Sequence, residues 1–341
     1  MKPADLLRAL AATAFALCLV VVVLGAWVRL SAAGLGCPDW PGCYGHFTPS
    51  GAVANADAVS QRFGGAEVEV AKAWKEMIHR YAAATLGFLV VIIAALAIQY
   101  RAQRLVSLPF ALGLLVLVVV QGIFGALTVT WQLKPLIVTG HLVLGMTTLA
   151  LLWWLMLTLW RRGRVWQSHA EAPTDPLRQA RRLAIAALVA LTLQIALGGW
   201  TSSNYAATAC PDFPQCQGAW WPDTDFRDAF IPWRGLGINY EGGVLDHPAR
   251  VAVHLTHRLG AIAATVMLLW AALIVLRQRR LNMAHGAATA VLAMLGLQLL
   301  IGIFMVMRGF PLWLATAHNA GAALLLLAVV ALNRALQPMR S

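Results

Sequence analysis

Long apolar stretches, each ended by a short polar or charged cluster, run through the chain from end to end. Eight of them reach about 18 residues or more, at 10–28, 81–100, 105–129, 139–160, 183–202, 251–276, 284–307 and 312–332. An α-helix rises ~1.5 Å per residue, so each stretch is long enough to cross the ~30 Å hydrocarbon layer of a bilayer. The pattern predicts an all-α polytopic membrane protein with eight transmembrane helices. The first stretch is longer than the apolar region of a signal peptide and is read as a retained helix.

The pattern repeats within the chain. Leu24-Gly25-Ala26-Trp27 returns as Leu197-Gly198-Gly199-Trp200, and Cys37-Pro-Asp-Trp-Pro-Gly-Cys43 as Cys210-Pro-Asp-Phe-Pro-Gln-Cys216, both at an offset of 173. His79-Arg80 returns as His257-Arg258 at 178, and Gln121 and His141 as Gln298 and His318 at 177. These matches predict two tandem, pseudo-symmetric four-helix bundles, 1–166 and 183–341, joined by a linker at 167–182. Four spans return the chain to its starting side, so the halves are expected to run parallel.

Composition agrees with a membrane setting: 60% of residues are hydrophobic, 12% are charged, and the mean hydropathy is +0.70. The net charge of +12 does not point to nucleic acid, because the charges follow the predicted topology. Most of the 26 Lys and Arg lie at the N-terminus, in alternate loops and at the C-terminus, against only Asp5, Glu171 and Asp175. On the other side basic and acidic residues balance. By the positive-inside rule both termini are cytoplasmic in a bacterial-type inner (plasma) membrane, and the long loops 30–76 and 203–250 face outward. Four of the five cysteines lie in those outward loops, where disulfides are permitted. Cys18, alone in the first span, is read as a packing residue.

The chemistry gathers at Glu76-Met77-Ile78-His79-Arg80. Glu76 and His79 share one helical face, a turn apart. In the second copy, His254-Leu255-Thr256-His257-Arg258, a histidine stands in place of Glu76. His79 and His141 sit at the same end of the second and fourth spans, and His257 and His318 repeat the arrangement. Helices running in one direction bring such a pair to one depth, as bis-imidazole haem ligation between helices requires. Zinc fits less well, since no third or fourth ligand converges in the sequence. Glu76 is either a helix-dipole partner or an acid/base group beside the iron ligand.

Arg80 and Arg258 either reach haem propionates or snorkel to the interface. Gly87, Gly140, Gly145, Gly260, Ala315, Ala317 and Gly321 suit either a flat ring or close helix packing. Gln121 and Gln298 are expected to hydrogen-bond between helices. Cys37/Cys43 and Cys210/Cys216 enclose loops that a disulfide would close, as structural clamps or as redox centres. His46, His169, His247 and His285 have no repeat partners and are read as structural or solvated.

Together, Glu76-x-x-His79-Arg80, Gly140-His141, His257-Arg258, His318-Asn319 and the Gly34-Leu35-Gly36-Cys37 to Cys43 loop resemble the heme A synthases of cytochrome oxidase assembly over nearly the whole chain. The resemblance implies oxidation of the pyrrole position 8 methyl of heme O to a formyl group, by successive hydroxylations and loss of water. It implies that His79, His141 and Glu76 serve the substrate haem, with Glu76 catalytic, and that His257 and His318 bind a permanent heme b. A heme O synthase (farnesyltransferase) upstream and cytochrome c oxidase downstream are the implied partners, with an unidentified electron acceptor. No catalytic role is carried to Cys210 and Cys216. The competing readings are a diheme b-type electron-transfer cytochrome, a membrane thiol oxidoreductase and a haem carrier. The first has no need of Glu76, and the second leaves the four repeated histidines unexplained.

Overall fold

The computed structural model describes residues 2–63, 65, 67–161 and 175–337, with the side chain of Arg161 left aside. Among them are eight helices long and apolar enough to cross a membrane. These are α1 (Pro3–Leu30), α2 (Val70–Gln99), α3 (Leu108–Thr130), α4 (Pro135–Arg161), α5 (Asp175–Ser203), α6 (His247–Arg277), α7 (Asn282–Met307) and α8 (Leu312–Ala335). In hydrocarbon every backbone N–H and C=O must be satisfied within its own segment, which is why such stretches form unbroken helices. Proline in the first turn of α1, α3 and α6 starts them where the missing N–H costs nothing. Several helices extend beyond the apolar stretches, so α2 begins well before Glu76 and His79. Asp175–Arg182 belongs to α5; the rest of the expected linker, 167–174, lies outside the described residues, as does His169.

Four of the helices bury a narrow seam. Residues spaced i, i+4, i+7, i+11 are covered in α1 (Leu7, Ala11, Ala14, Cys18), α2 (Leu86, Val90, Ile93, Ala97), α6 (Ala264, Leu268, Ala271, Val275) and α7 (Ala284, Ala288, Val291, Leu295). That is the spacing of helices packed side by side at small crossing angles, and the alanines let the backbones approach. Cys18 is buried in this seam as a free thiol.

The packing partners form a ring in each half. Helix α1 packs on α2 and α4, and α3 packs on α2 and α4; likewise α5 packs on α6 and α8, and α7 on α6 and α8. The diagonal pairs α2/α4 and α6/α8 form no extended interface. Between the halves, α4 meets α5, α8 meets α1, and α4 meets α8. Helix α8, with neighbours on several sides, buries the run Leu325–Val330. Trp153 of α4 donates to the Leu327 carbonyl at 3.0 Å, and Asn333 to the Ala184 carbonyl at 2.9 Å. Such bonds contribute about 0.6 kcal/mol each in a membrane.

At the end of the bundle that carries the disulfides, the 204–246 loop reaches over the first half. Tyr240 N–H donates to the Gln132 carbonyl at 3.0 Å. Arg29 at the end of α1 donates to the Ser202 carbonyl at 2.7 Å and stacks over Tyr205. The buried Lys134 ammonium lies 3.0 Å from the Trp233 ring centroid and donates to the Gly235 carbonyl. This cation is desolvated and held by a π face and one carbonyl.

Candidate functional site

Four imidazoles occupy matching places. His79 on α2 and His141 on α4 lie on one diagonal, His257 on α6 and His318 on α8 on the other. Each ring rests against a glycine of the preceding long helix. A Cβ added at Gly25 would come 2.9 Å from His79 Cε1, at Gly125 3.3 Å from His141 Cε1, at Gly198 3.2 Å from His257 Cε1, and at Gly302 3.0 Å from His318 Cε1. Side chains at these glycines would push the rings, so the hydrogen atom there fixes where each imidazole lies. Nδ1 of His79 and of His141 is buried without a hydrogen-bond partner. Nδ1 of His254, which the repeat does not pair with a facing histidine, is partnerless as well.

Of the small residues that suit either a flat ring or close helix packing, the five glycines lie against side chains of neighbouring helices. Gly87 faces Val118, Gly140 faces Phe124, and Gly145, Gly260 and Gly321 face the side-chain amides of Gln121, Gln194 and Gln298. Those amides bond the histidine main chain. Gln121 Nε2 donates to the His141 carbonyl at 3.0 Å, and Gln298 Nε2 to that of His318 at 3.0 Å, as the expectation of interhelical bonding held. Gln194, which the repeat pattern did not single out, donates to the His257 carbonyl at 2.9 Å.

Glu76 is 4% exposed and lies in the second turn of α2, whose N-cap is Glu69, so it is not the helix cap. Its Oε2 accepts the Cys37 N–H at 2.9 Å and its Oε1 accepts Arg80 Nη2 at 2.6 Å. Gly36 makes the first of these bonds sterically accessible: a Cβ there would lie 2.6 Å from the Lys72 carbonyl carbon and 2.8 Å from Ala73 N. The loop backbone therefore lies directly on α2. Arg80 spends its other nitrogen, Nη1, on the carbonyls of Asp39, Pro41 and Gly42. The carboxylate, the disulfide loop and the helix carrying His79 form one connected unit.

The disulfide loops are built alike. Cys37–Cys43 and Cys210–Cys216 are bonded, each with a Cα–Cα distance of 4.7 Å. Asp39 accepts from the N–H groups of Tyr44 and Gly45 at 2.6 and 2.8 Å, and Asp212 from those of Gln217 and Gly218 at the same distances. Those backbone bonds hold the Asp212 carboxyl below the usual carboxylate range. In both loops the two residues after the second cysteine have positive φ, one of them a glycine.

Beneath the second loop the contacts differ. Arg258 reaches the carbonyls of Cys210, Asp212 and Gln215. Its Nε donates to His254 Nε2 at 3.3 Å, where Arg80 meets a carboxylate. Ala209 stands where the first loop has Gly36. Both arginines thus brace the disulfide loops against the helices that carry His79 and His257.

Among the described residues no three His, Cys, Asp or Glu side chains converge as a metal site. The unrepeated histidines among the described residues have local partners. His46 closes the first loop's turn through its backbone, His247 meets Gln217, and His285 meets the Gln278 carbonyl. The sequence reading did not assign roles to Gly25, Gly125, Gly198, Gly302, Gly36 or Gln194. Gly25/Gly198 and Gly125/Gly302 carried a usable signal in their repeat positions; Gly36 and Gln194 carried none, because Ala209 and Val21 occupy the matching places.

The likeness to known proteins spans the same elements. Residues 8–330 match the model of a family described as cytochrome oxidase assembly protein. A protein named heme A synthase from Shewanella oneidensis is 41% identical over 315 residues, covering 92% of each chain. Proteins of that name from Methylobacterium nodulans and Paracoccus denitrificans are 30% and 28% identical over 338 and 345 residues, covering 91% of this chain and 86% and 82% of their own. The match embraces all eight long helices and both disulfide loops, and the chain belongs to the cytochrome oxidase assembly protein family.

Proposed function

We propose that the chain is a heme A synthase, an oxidoreductase that converts the pyrrole position 8 methyl of heme O into the formyl group of heme A. The observation that carries the reading is the buried Glu76 carboxylate, one helical turn from His79 and oriented by Arg80 and the Cys37 N–H. Two successive two-electron oxidations, each adding the oxygen of a water molecule, passing two electrons to an external electron acceptor and releasing two protons, take the methyl through a hydroxymethyl to a geminal diol, which loses water to give the aldehyde. Glu76 serves at the methyl carbon, taking a proton or stabilising a developing cation.

The residues fit two haems. A planar macrocycle needs two helices that are not packed together and carry facing imidazoles, and the diagonals α2/α4 and α6/α8 supply them. The glycines set against all four rings support the same use. In this reading His79 and His141 hold the substrate, residues 1–166 form its half, and 183–341 the other. His257 and His318 hold a resident heme b, which supplies a one-electron redox centre. The repeated ring of packing partners favours two pseudo-symmetric bundles. The propionate role of Arg80 and Arg258 is confined to whatever capacity remains beyond the loop carbonyls they already serve. Lys and Arg enrichment at the end bearing the termini favours cytoplasmic termini and outward disulfide loops in a bacterial inner membrane. Heme O reaches the site from a heme O synthase, and heme A passes on to cytochrome oxidase assembly.

The test is co-expression with a heme O synthase, purification in detergent, and identification of extracted haems by chromatography and mass. Heme b together with heme A or a hydroxylated heme O is expected. Heme b alone, with heme O available, overturns the enzyme in favour of an electron-transfer cytochrome.

A further inference from the structure

Three of the four histidines have a side-chain amide donor on their main-chain carbonyl, and among the described residues the fourth has none. Gln121, Gln194 and Gln298 each donate a side-chain amide to the main-chain carbonyl of His141, His257 and His318. A carbonyl only accepts, which fixes Nε2 as the donor in all three. In each case the glutamine fits a notch made by a glycine three or four residues beyond the histidine. A Cβ at Gly145 would lie 3.1 Å from Gln121 Nε2; at Gly260 it would overlap Gln194 Oε1 and come 2.8 Å from Leu197 Cδ1; at Gly321 it would overlap Gln298 Oε1. All three Oε1 atoms are buried without a partner. Ordinary packing does not favour an orphaned amide oxygen, and a bond worth keeping at that cost is one that fixes a ligand.

At the first histidine both parts of the device are missing. The position matching Gln194 is Val21, and the position matching Gly260 is Ala82, with Ala83 beside it. Among the described residues no side chain donates to the His79 carbonyl. The valine cannot make the bond, and the alanine leaves no notch for a longer side chain. The two differences belong together.

We infer that Gln121, Gln194 and Gln298 are positioning residues that lock their histidines as ligands, and that the Val21/Ala82 pair leaves His79 the exchangeable one. This rests on the functional reading above and deepens it: substrate haem enters and product haem leaves by release from His79, while the doubly locked His257/His318 pair retains its haem. One hydrogen bond per site sets the expected effect at about fivefold in exchange rate.

The experiment follows haem transfer from the purified full-length protein, co-expressed with a heme O synthase, to excess apomyoglobin, with the departing haem identified by extraction. The wild type is expected to lose O- or A-type haem in a fast phase and b-type haem in a slow one. Val21→Gln with Ala82→Gly should slow the fast phase about fivefold; Gln194→Val with Gly260→Ala should speed the slow phase by a similar factor. Circular dichroism and haem content establish folding, and if either double variant does not fold, the other decides. Folded variants with wild-type phases, or b-type haem leaving first, overturn this inference alone. A wild-type protein carrying no haem overturns the functional reading and this inference with it.

Discussion

The two halves use one scaffold and differ where chemistry is expected. Each has a disulfide loop closed by an aspartate over two backbone N–H groups and braced by the arginine that follows a histidine. Under the first loop that arginine meets Glu76; under the second it meets His254. Gly36 brings the first loop onto α2 so that a backbone N–H reaches the carboxylate, and Ala209 takes its place in the second. A scaffold shared this closely indicates that loop and arginine are architecture common to both sites. The carboxylate and the close backbone approach are particular to one.

Exchanging the distinctive residues tests that contrast most severely. Glu76→Ala is expected to lower heme A formation by about a hundredfold or more while haem remains bound, whereas His254→Ala should change it by less than about tenfold. Product analysis of the two variants measures the difference, and equal yields would remove Glu76 from the chemistry. Next in size, His257→Ala should abolish the b-type haem spectrum and leave the first half able to bind heme O. Retention of wild-type b-type haem in that variant would refute the ligand assignment.

The braces should be unequal. Arg80→Ala strands a buried carboxylate and should cost about 3 kcal/mol in detergent unfolding. Arg258→Ala strands a neutral imidazole and loop carbonyls, with an expected cost of about 1–2 kcal/mol. Equal losses would mean that the loop carbonyls, rather than Glu76, dominate the role of Arg80.

The smallest effect concerns pH. The Asp212 carboxyl is depressed in the folded loop, so its contribution is fully present above the ordinary carboxylate range and is lost as pH falls through the lower folded value. Hydrogen exchange at the Gln217 and Gly218 amides should stay slow through the ordinary carboxylate range and accelerate only below it. Asp212→Asn should abolish that step.

Much of the site was legible because duplication marks it. Histidines recurring at nearly constant offsets in apolar helices identified themselves, and so did the cysteine pairs and the Glu76/His254 difference. The small residues were read less well. Gly260 and Gly321 suit either a flat ring or close helix packing in the sequence, and in the structure they make room for glutamine side chains of the neighbouring helix. Gly25 and Gly198 were seen as repeat markers, and their contact with imidazoles depends on how α1 and α5 are rotated against α2 and α6. Sequence spacing does not state that rotation.

What the sequence determined by itself is the set of eight helices, because length and apolarity suffice where the solvent forbids unpaired backbone groups. It determined the repeat and the candidate ligands on the same ground, that ionisable residues in such helices are costly and few. The tertiary structure alone decided which helices lie diagonally opposed, that Arg80 and Arg258 hold loop carbonyls, and that three histidines have a glutamine behind them where His79 has none. Those are contacts between side chains far apart in the chain, fixed by helix rotation and close packing rather than by any local preference.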